Sequence, residues 1–278
     1  MSIAHFGCWN EYNNILIIKK ILEQIIKENL SFLSIGGDNY YQPNNIFFDK
    51  NRISLGFNLL PQNITKYIIF GNHDIEDYES LKYQVQLNSP NIILYNGPIF
   101  KKLDEIIIIY IDTTIYKLKP DDEIPKSYKL LSFSNNIKTV KDFIDKQETV
   151  VRKFINSSKY KKIIFIGHHP IFGAKFKKNK DKIYLLENLR NFIFSFNYPD
   201  IIYIGSHIHN YQKGVVTFNN KNILQYITGT GGAFLDKIPI ENNFNEDNTT
   251  YNIINKSKKH GYILISNINI IFKQIKQF

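Results

Sequence analysis

Short, unbroken apolar runs recur along this chain, and four of them stop at a glycine followed at once by polar residues. Phe32-Leu33-Ser34-Ile35 gives way to Gly36-Gly37-Asp38-Asn39-Tyr40-Tyr41, and Tyr67-Ile68-Ile69-Phe70 to Gly71-Asn72-His73-Asp74. Ile163-Ile164-Phe165-Ile166 runs into Gly167-His168-His169-Pro170, and Ile201-Ile202-Tyr203-Ile204 into Gly205-Ser206-His207-Ile208-His209. Apolar runs of this length bounded by glycine predict buried strands. Residues 3–6 and 106–111 predict strands for the same reason. Between these runs the apolar positions fall at helical spacing. Ile15, Ile18, Leu22, Ile25 and Ile26 line one face of a helix predicted over 14–29, and further helices are predicted over 47–57, 139–156 and 183–196. Strands alternating with helices predict a parallel sheet covered by helices.

The last third of the chain changes character. Residues 214–218, 223–228, 262–266 and 268–275 read as strands joined by short turns, which predicts a second, more antiparallel sheet packed on the first. Two polar stretches break the pattern: 117–136 predicts an exposed loop, and the Asn-rich 241–259 a mobile one. No repeat and no linker divides the chain, so residues 1–278 are expected to form a single α/β domain.

Composition changes this picture little. Of 35 basic residues only Arg52, Arg152 and Arg190 are arginine, and Ile, Asn, Lys, Tyr and Phe abound. All five have A/T-rich codons, so the formal charge of +10 reads first as codon drift. Arg, the better phosphate fork, is not enriched, and nucleic acid is therefore not the favoured partner. A positive surface still attracts phosphorylated substrates. Cys8 is the only cysteine, which excludes an internal disulfide. No apolar run approaches the roughly 20 residues of a membrane span. With a first strand starting near Ile3, these features predict a cytoplasmic chain with no membrane partner; oligomeric state is not readable.

Four strand ends that each deliver Asp, Asn or His to one sheet edge predict a metal site, because ligands of open parallel sheets bind at that edge. The order and spacing of these motifs resemble the calcineurin-like metallophosphoesterase superfamily, and within it the purple acid phosphatase branch. The resemblance implies a four-layer αββα sandwich of two mixed sheets flanked by helices, and a pair of divalent ions (Fe, Zn or Mn). It implies that Asp38 bridges the ions, that Asn72, His168 and His207 complete the second, and that His209 and Tyr41 bind the first. It makes His73 a catalytic residue that stabilises developing charge or protonates the leaving oxygen. Asp74 is expected to orient a neighbouring imidazole, and His169 to lie behind the ligands or face substrate. The Thr228-Gly229-Thr230-Gly231-Gly232 turn is expected to line the site. His5 and His260 are assigned no role.

One motif departs from the family. Where the branch has Gly-Asp-Trp-Gly, this chain reads Gly7-Cys8-Trp9-Asn10, so Cys8 stands at the position of the first-metal Asp. Three alternatives stay open: Cys8 ligates as a thiolate, Asn10 or water fills the gap, or the first site is dead. The function implied is hydrolysis of a phosphate monoester or diester, a nucleotide among them. The rivals are a silent or mononuclear relative that binds a phospho-ligand or protein, and a nuclease. Specificity is expected from the loops at 42–50, 117–136, 174–182 and 241–259, which carry no decodable motif.

Overall fold

The computed structural model describes residues 2–11, 14–41, 48–87, 91–157, 159–266 and 269–275. Most of the expected specificity loop at 42–50 lies outside them, as do residue 47 of the second predicted helix and residue 268 of the last predicted strand.

The elements follow in the order β1 Ser2–Phe6, α1 Ile15–Ile25, β2 Leu30–Ile35, α2 Lys50–Leu59, β3 Lys66–Ile68, α3 Asn72–Glu76, α4 Tyr78–Gln86, β4 Ile92–Leu94, β5 Ile99–Leu103 and β6 Ile106–Tyr110. They continue with α5 Val140–Asn156, β7 Lys162–Ile166, β8 Phe172–Lys177, β9 Lys180–Leu185, α6 Glu187–Phe194 and β10 Ile201–Gly205. The chain closes with β11 Tyr211–Phe218, β12 Lys221–Thr228, β13 Asn243–Glu246, β14 Thr249–Ser257, β15 Gly261–Ser266 and β16 Ile270–Gln274.

Two large mixed sheets carry the fold. One runs β16-β15-β1-β2-β3-β4, the other β13-β14-β11-β12-β10-β7-β6-β5. Alternation along the strands explains the layering. In the first sheet Ala4, Leu33, Ile35 and Ile68 face a core shared with Ile18, Ile21, Leu22 and Ile25 of α1 and with Ile53 and Phe57 of α2. The alternate residues Ile3, Phe32 and Tyr67 face the other way, into the core between the sheets. Tyr67 there stacks on Tyr110 of β6, ring centroids 5.8 Å apart. In the second sheet β6 and β10 are buried along their whole length, as expected of strands covered on both faces. Val140, Phe143, Val151 and Ile155 of α5 complete that core; each such burial contributes on the order of 1.5–3 kcal/mol. A capping box starts α5, with Thr139 Oγ1 accepting from Asp142 N and Asp142 Oδ2 from Thr139 N, both at 3.1 Å.

Several expectations need correcting. The His-bearing strands β7 and β10 do not share a sheet with β2 and β3; they belong to the second sheet, and β15–β16 return to the first beside β1. The predicted helix over 183–196 is strand β9 followed by the shorter α6. Residues 117–136 are not simply exposed, because two 3-10 turns bury Tyr128 and Leu131. The expected mobile loop at 241–259 is the hairpin β13–β14, which pairs on through β14 with β11. Its signal was present: Thr249, Tyr251 and Ile253 alternate inward. The turn residues Asp247 and Asn248 both have positive φ, 45° and 56°, the conformation a two-residue hairpin turn demands and Asn or Asp tolerates. Among the described residues no helix is long and apolar enough to cross a membrane.

Candidate metal centre

The parallel strands β1, β2 and β3 of one sheet and β7, β10 and β12 of the other all release their C-terminal loops toward one place. His168 Nδ1, after β7, donates to the Gly36 carbonyl after β2 at 2.8 Å, which ties the sheets together there. The loop between β12 and the final strands locks the first motif in place. Gly7 N donates to Thr228 O at 3.1 Å, Gly231 N to Gly7 O at 3.0 Å and Ala233 N to Cys8 O at 2.9 Å.

Close approach of these loops requires glycine at two positions. Gly37 has φ of 85°, and a Cβ there would meet His168 Nδ1 at 2.9 Å. A Cβ on Gly71 would overlap Asp38 Oδ1 and lie 2.7 Å from His168 Cε1. Non-glycine residues are also held at positive φ: Cys8 at 53°, Asp38 at 52° and His207 at 37°. Such backbone costs on the order of 1–3 kcal/mol per residue and clusters at functional sites.

Asp38 stands at the middle, 1% exposed. Its Oδ1 accepts from His73 N at 3.1 Å and lies 3.3 Å from His168 Nε2. Its Oδ2 accepts from Tyr41 OH at 3.1 Å and lies 3.9 Å from Cys8 Sγ. Burial by itself would raise this carboxyl, but His168 first, then His73 and His207, outweigh it and hold it below the usual carboxylate range.

To one side lie three imidazoles. Ligand atoms of His168, His169 and His207 fall within 4.8 Å of one another, and the rings of His169 and His207 are 4.4 Å apart. The Gly36 carbonyl fixes His168 Nδ1 as a donor. Burial alone would lower this imidazole, but the charge of Asp38 outweighs it and raises it, favouring a proton on Nε2 toward Asp38 Oδ1 that a metal ion would displace. Burial, then neighbouring positive charge, drives His169 and His207 well below the ordinary imidazole range, so both are neutral, the form that can ligate a metal. His168 Nε2, His169 Nε2, His207 Nδ1 and Asn72 Oδ1 are buried without a hydrogen-bond partner.

To the other side lie Cys8, Tyr41 and His209. Ligand atoms of Cys8, Asp38 and His209 fall within 4.8 Å of one another. Tyr41 OH is 3.1 Å from His209 Nε2, while His209 Nδ1 donates to Phe234 O at 2.9 Å. Tyr40 turns away into the core against Arg52, and Tyr41 is the tyrosine of the pair that faces Asp38. Burial, followed by the charge of Asp38, pushes the Cys8 thiol up; a cation between the two would reverse that sign. His73 is exposed at the mouth, its ring 4.8 Å from that of Tyr41.

Two expected residues stand elsewhere. Asn10 does not reach the centre: its amide donates to Asn39 O at 2.9 Å and packs where a Gly56 side chain would be. Asp74 meets no imidazole. Its carboxylate accepts from Gly71 N at 2.8 Å, Asn39 N at 3.0 Å and Gln84 Nε2 at 2.9 Å, stapling the Asp38 and Asn72 loops together. Orientation of the imidazoles falls instead to the Gly36 and Phe234 carbonyls. Sequence reading missed these, and missed Asp236, whose Oδ2 accepts from His209 N at 3.0 Å and from Lys175 Nζ at 2.9 Å. Backbone carbonyls leave no trace in sequence, and Asp236 sits in no motif.

The donors present suit metal ions. Neutral imidazole nitrogens, an amide oxygen and a carboxylate are ligands for divalent Zn, Fe or Mn, and a thiol adds a softer one. Orphaned donors that would each cost about 1–3 kcal/mol if left unpaired are what a bound cation satisfies.

A family model described as calcineurin-like phosphoesterase matches residues 1–211. The fold is similar to that of GAP50, the anchor in the inner membrane complex of Plasmodium, with 16% identity and a TM-score of 0.58 over 99% of this chain and 84% of that one. It is also similar to PhoD, with 13% identity and a TM-score of 0.60 over 95% of this chain and 63% of that one. At these identities the likenesses bear on the fold alone. No curated protein matches the chain.

Proposed function

The chain belongs to the calcineurin-like phosphoesterase family, and from that premise we propose that it hydrolyses a phosphate monoester or diester, nucleotides included, at a centre of two divalent metal ions. The observation that carries this reading is the set of orphaned donors, Asn72 Oδ1, His168 Nε2, His169 Nε2 and His207 Nδ1, gathered beside the buried carboxylate of Asp38. The ions supply Lewis acidity toward phosphate oxygens and lower the pKa of water.

The residues divide that work. Asp38 faces both clusters and bridges them. Asn72, His168 and His207 hold one ion, with His169 close enough to join or support them. Tyr41 and His209 hold the other, with Cys8 at the remaining position. His73, exposed beside Tyr41, stabilises developing charge or gives a proton to the leaving oxygen. The order of the motifs supports the purple acid phosphatase branch. The net positive charge favours phosphorylated small molecules as substrates, and the single cysteine suits a reducing compartment such as the cytoplasm.

The test is hydrolysis of aryl phosphate monoesters and diesters by protein reloaded with Zn, Fe or Mn, beside the His73→Ala variant. Turnover that the variant abolishes is the expected result. Two ions per chain with no turnover removed by His73→Ala would overturn the reading and leave a silent binder of phospho-ligands or proteins.

A further inference from the structure

We propose that the Cys8 half of the centre is a sulfur-bearing site that selects thiophilic ions such as Zn²⁺, Fe²⁺ or Co²⁺ over Mn²⁺ and Mg²⁺, making the two halves chemically unequal. The inference rests on the metal-centre reading above and specifies which ions one half accepts.

The donors around that half are mixed. Cys8 Sγ lies 3.9 Å from Asp38 Oδ2, and Tyr41 OH lies 3.1 Å from the same oxygen and 3.1 Å from His209 Nε2. One sulfur, one imidazole nitrogen and two oxygens therefore surround one point. Bonds of about 2.3 Å to sulfur and about 2.1 Å to a carboxylate oxygen, meeting at a tetrahedral angle or somewhat wider, bridge a separation of this size.

A buried cysteine is more often a small apolar filler. Cys8 is placed differently. It belongs to neither of the two large cores but to a small cluster with Tyr41 and Ala233, and its sulfur lies 3.9 Å from a carboxylate oxygen. Among the described residues that carboxylate has no Lys or Arg within ion-pair distance; its one such partner is His168. Across Asp38, the oxygen of Asn72, more than nine-tenths buried, has no hydrogen-bond partner. The carboxylate thus sits between two sets of donors with only the titratable imidazole of His168 within ion-pair distance to balance it, and burying a charge uncompensated is costly.

The alternative filler is committed elsewhere, since the Asn10 amide is bonded to Asn39 and packed beside Gly56. Of the two side chains that the first motif offers here, the thiol is the one that reaches Asp38. Thiolate binds borderline and soft ions, whereas Mg²⁺ and Mn²⁺ prefer carboxylate, carbonyl and water. Where an Asp here would leave the centre oxygen-rich on both sides, Cys8 biases one side only.

The experiment is titration of the apoprotein with Co²⁺, then competition between Zn²⁺ and Mn²⁺, for wild type, Cys8→Asp and Cys8→Ser. The readouts are the near-ultraviolet sulfur-to-cobalt charge-transfer absorption and metal content per chain. Wild type is expected to hold close to two ions and to develop the band. Cys8→Asp is expected to hold as many ions without it, with Zn²⁺-over-Mn²⁺ preference lowered at least tenfold on one site only. If Cys8→Asp does not fold, the isosteric Cys8→Ser decides by the same spectrum. Ion uptake by wild type with no sulfur band, or equal Zn²⁺/Mn²⁺ preference in wild type and variants, overturns the inference alone. No ion uptake by wild type overturns the metal-centre reading with it.

Discussion

On one side of Asp38, the donors of Asn72, His169 and His207 end in atoms with no hydrogen-bond partner; on the other, Cys8 and Tyr41 contact Asp38, and Tyr41 lies 3.1 Å from His209. The two halves are made from the same kind of strand-end loop and differ in what satisfies them. Unpaired buried donors carry a free-energy cost that a cation removes, so the His168 half is poised for one. In the Cys8 half a cation must displace the Tyr41 hydrogen bond to Asp38 before it gains anything. The His168 half should therefore fill first and more tightly, and the Cys8 half should show its selectivity in the second equivalent.

The most severe way to break this comparison is to remove the group the halves share. Asp38→Asn should cost both ions and lower hydrolysis roughly 10³-fold or more, as loss of a central catalytic group does. Elemental analysis showing two retained ions would mean that the halves do not depend on a common carboxylate. His73→Ala should lower turnover about 10²–10³-fold while metal content stays at the wild-type level. A parallel loss of metal would make His73 part of the binding site and blur the distinction drawn here.

The support behind the His168 half predicts a pH effect. Asp112 is buried with Oδ1 accepting from Thr114 N at 2.7 Å and Ile115 N at 3.2 Å, next to Thr113, whose hydroxyl accepts from His169 N at 2.8 Å. Burial pushes its carboxyl from 3.8 up to about 6, which corresponds to roughly 3 kcal/mol between the two protonation states. A raised carboxyl favours the folded state while it is protonated, so its contribution is complete below about pH 4 and is lost as pH rises to about 6. Denaturation midpoints of wild type minus Asp112→Asn should fall across that window and level off above it. A flat difference would show that the fold does not raise the Asp112 carboxyl.

The smallest expected effect sharpens the comparison most. Tyr41→Phe removes a hydroxyl that donates to Asp38 beside His209, a bond worth about 1 kcal/mol, and should shift ion affinity up to roughly tenfold in the Cys8 half only. An equal shift in both halves, seen by competitive titration, would dissolve the asymmetry.

Much of the centre was legible because each motif is short and local. A run of apolar residues must end somewhere, and Gly followed by Asp, Asn or His marks that end without reference to anything distant; Asp38, Asn72, His168, His207 and His209 all came together as their strand ends foretold. Residues whose role depends on a second loop were not legible. Asn10 and Asp74 carry the same kinds of atom as the residues proposed to hold metal, yet one is spent on Asn39 and the other on Gly71, Asn39 and Gln84. The β13–β14 hairpin was hidden because Asn, abundant throughout this chain, looks like loop composition even where it fills the turn and the outward face of a strand.

By itself, then, the amino-acid sequence determined the strand ends and the donor types they carry, a thiol at Cys8 among them. Those follow from side-chain chemistry and from periodicities spanning a few residues. Only the tertiary structure decided that the motifs come from two different sheets and that Tyr41 rather than Tyr40 faces the centre. It alone showed that backbone carbonyls orient the imidazoles, and that one half is closed by hydrogen bonds while the other is left open. Each of these depends on the partner a polar atom finds across the fold. A buried donor takes the nearest acceptor in space, and sequence distance has no say in which one that is.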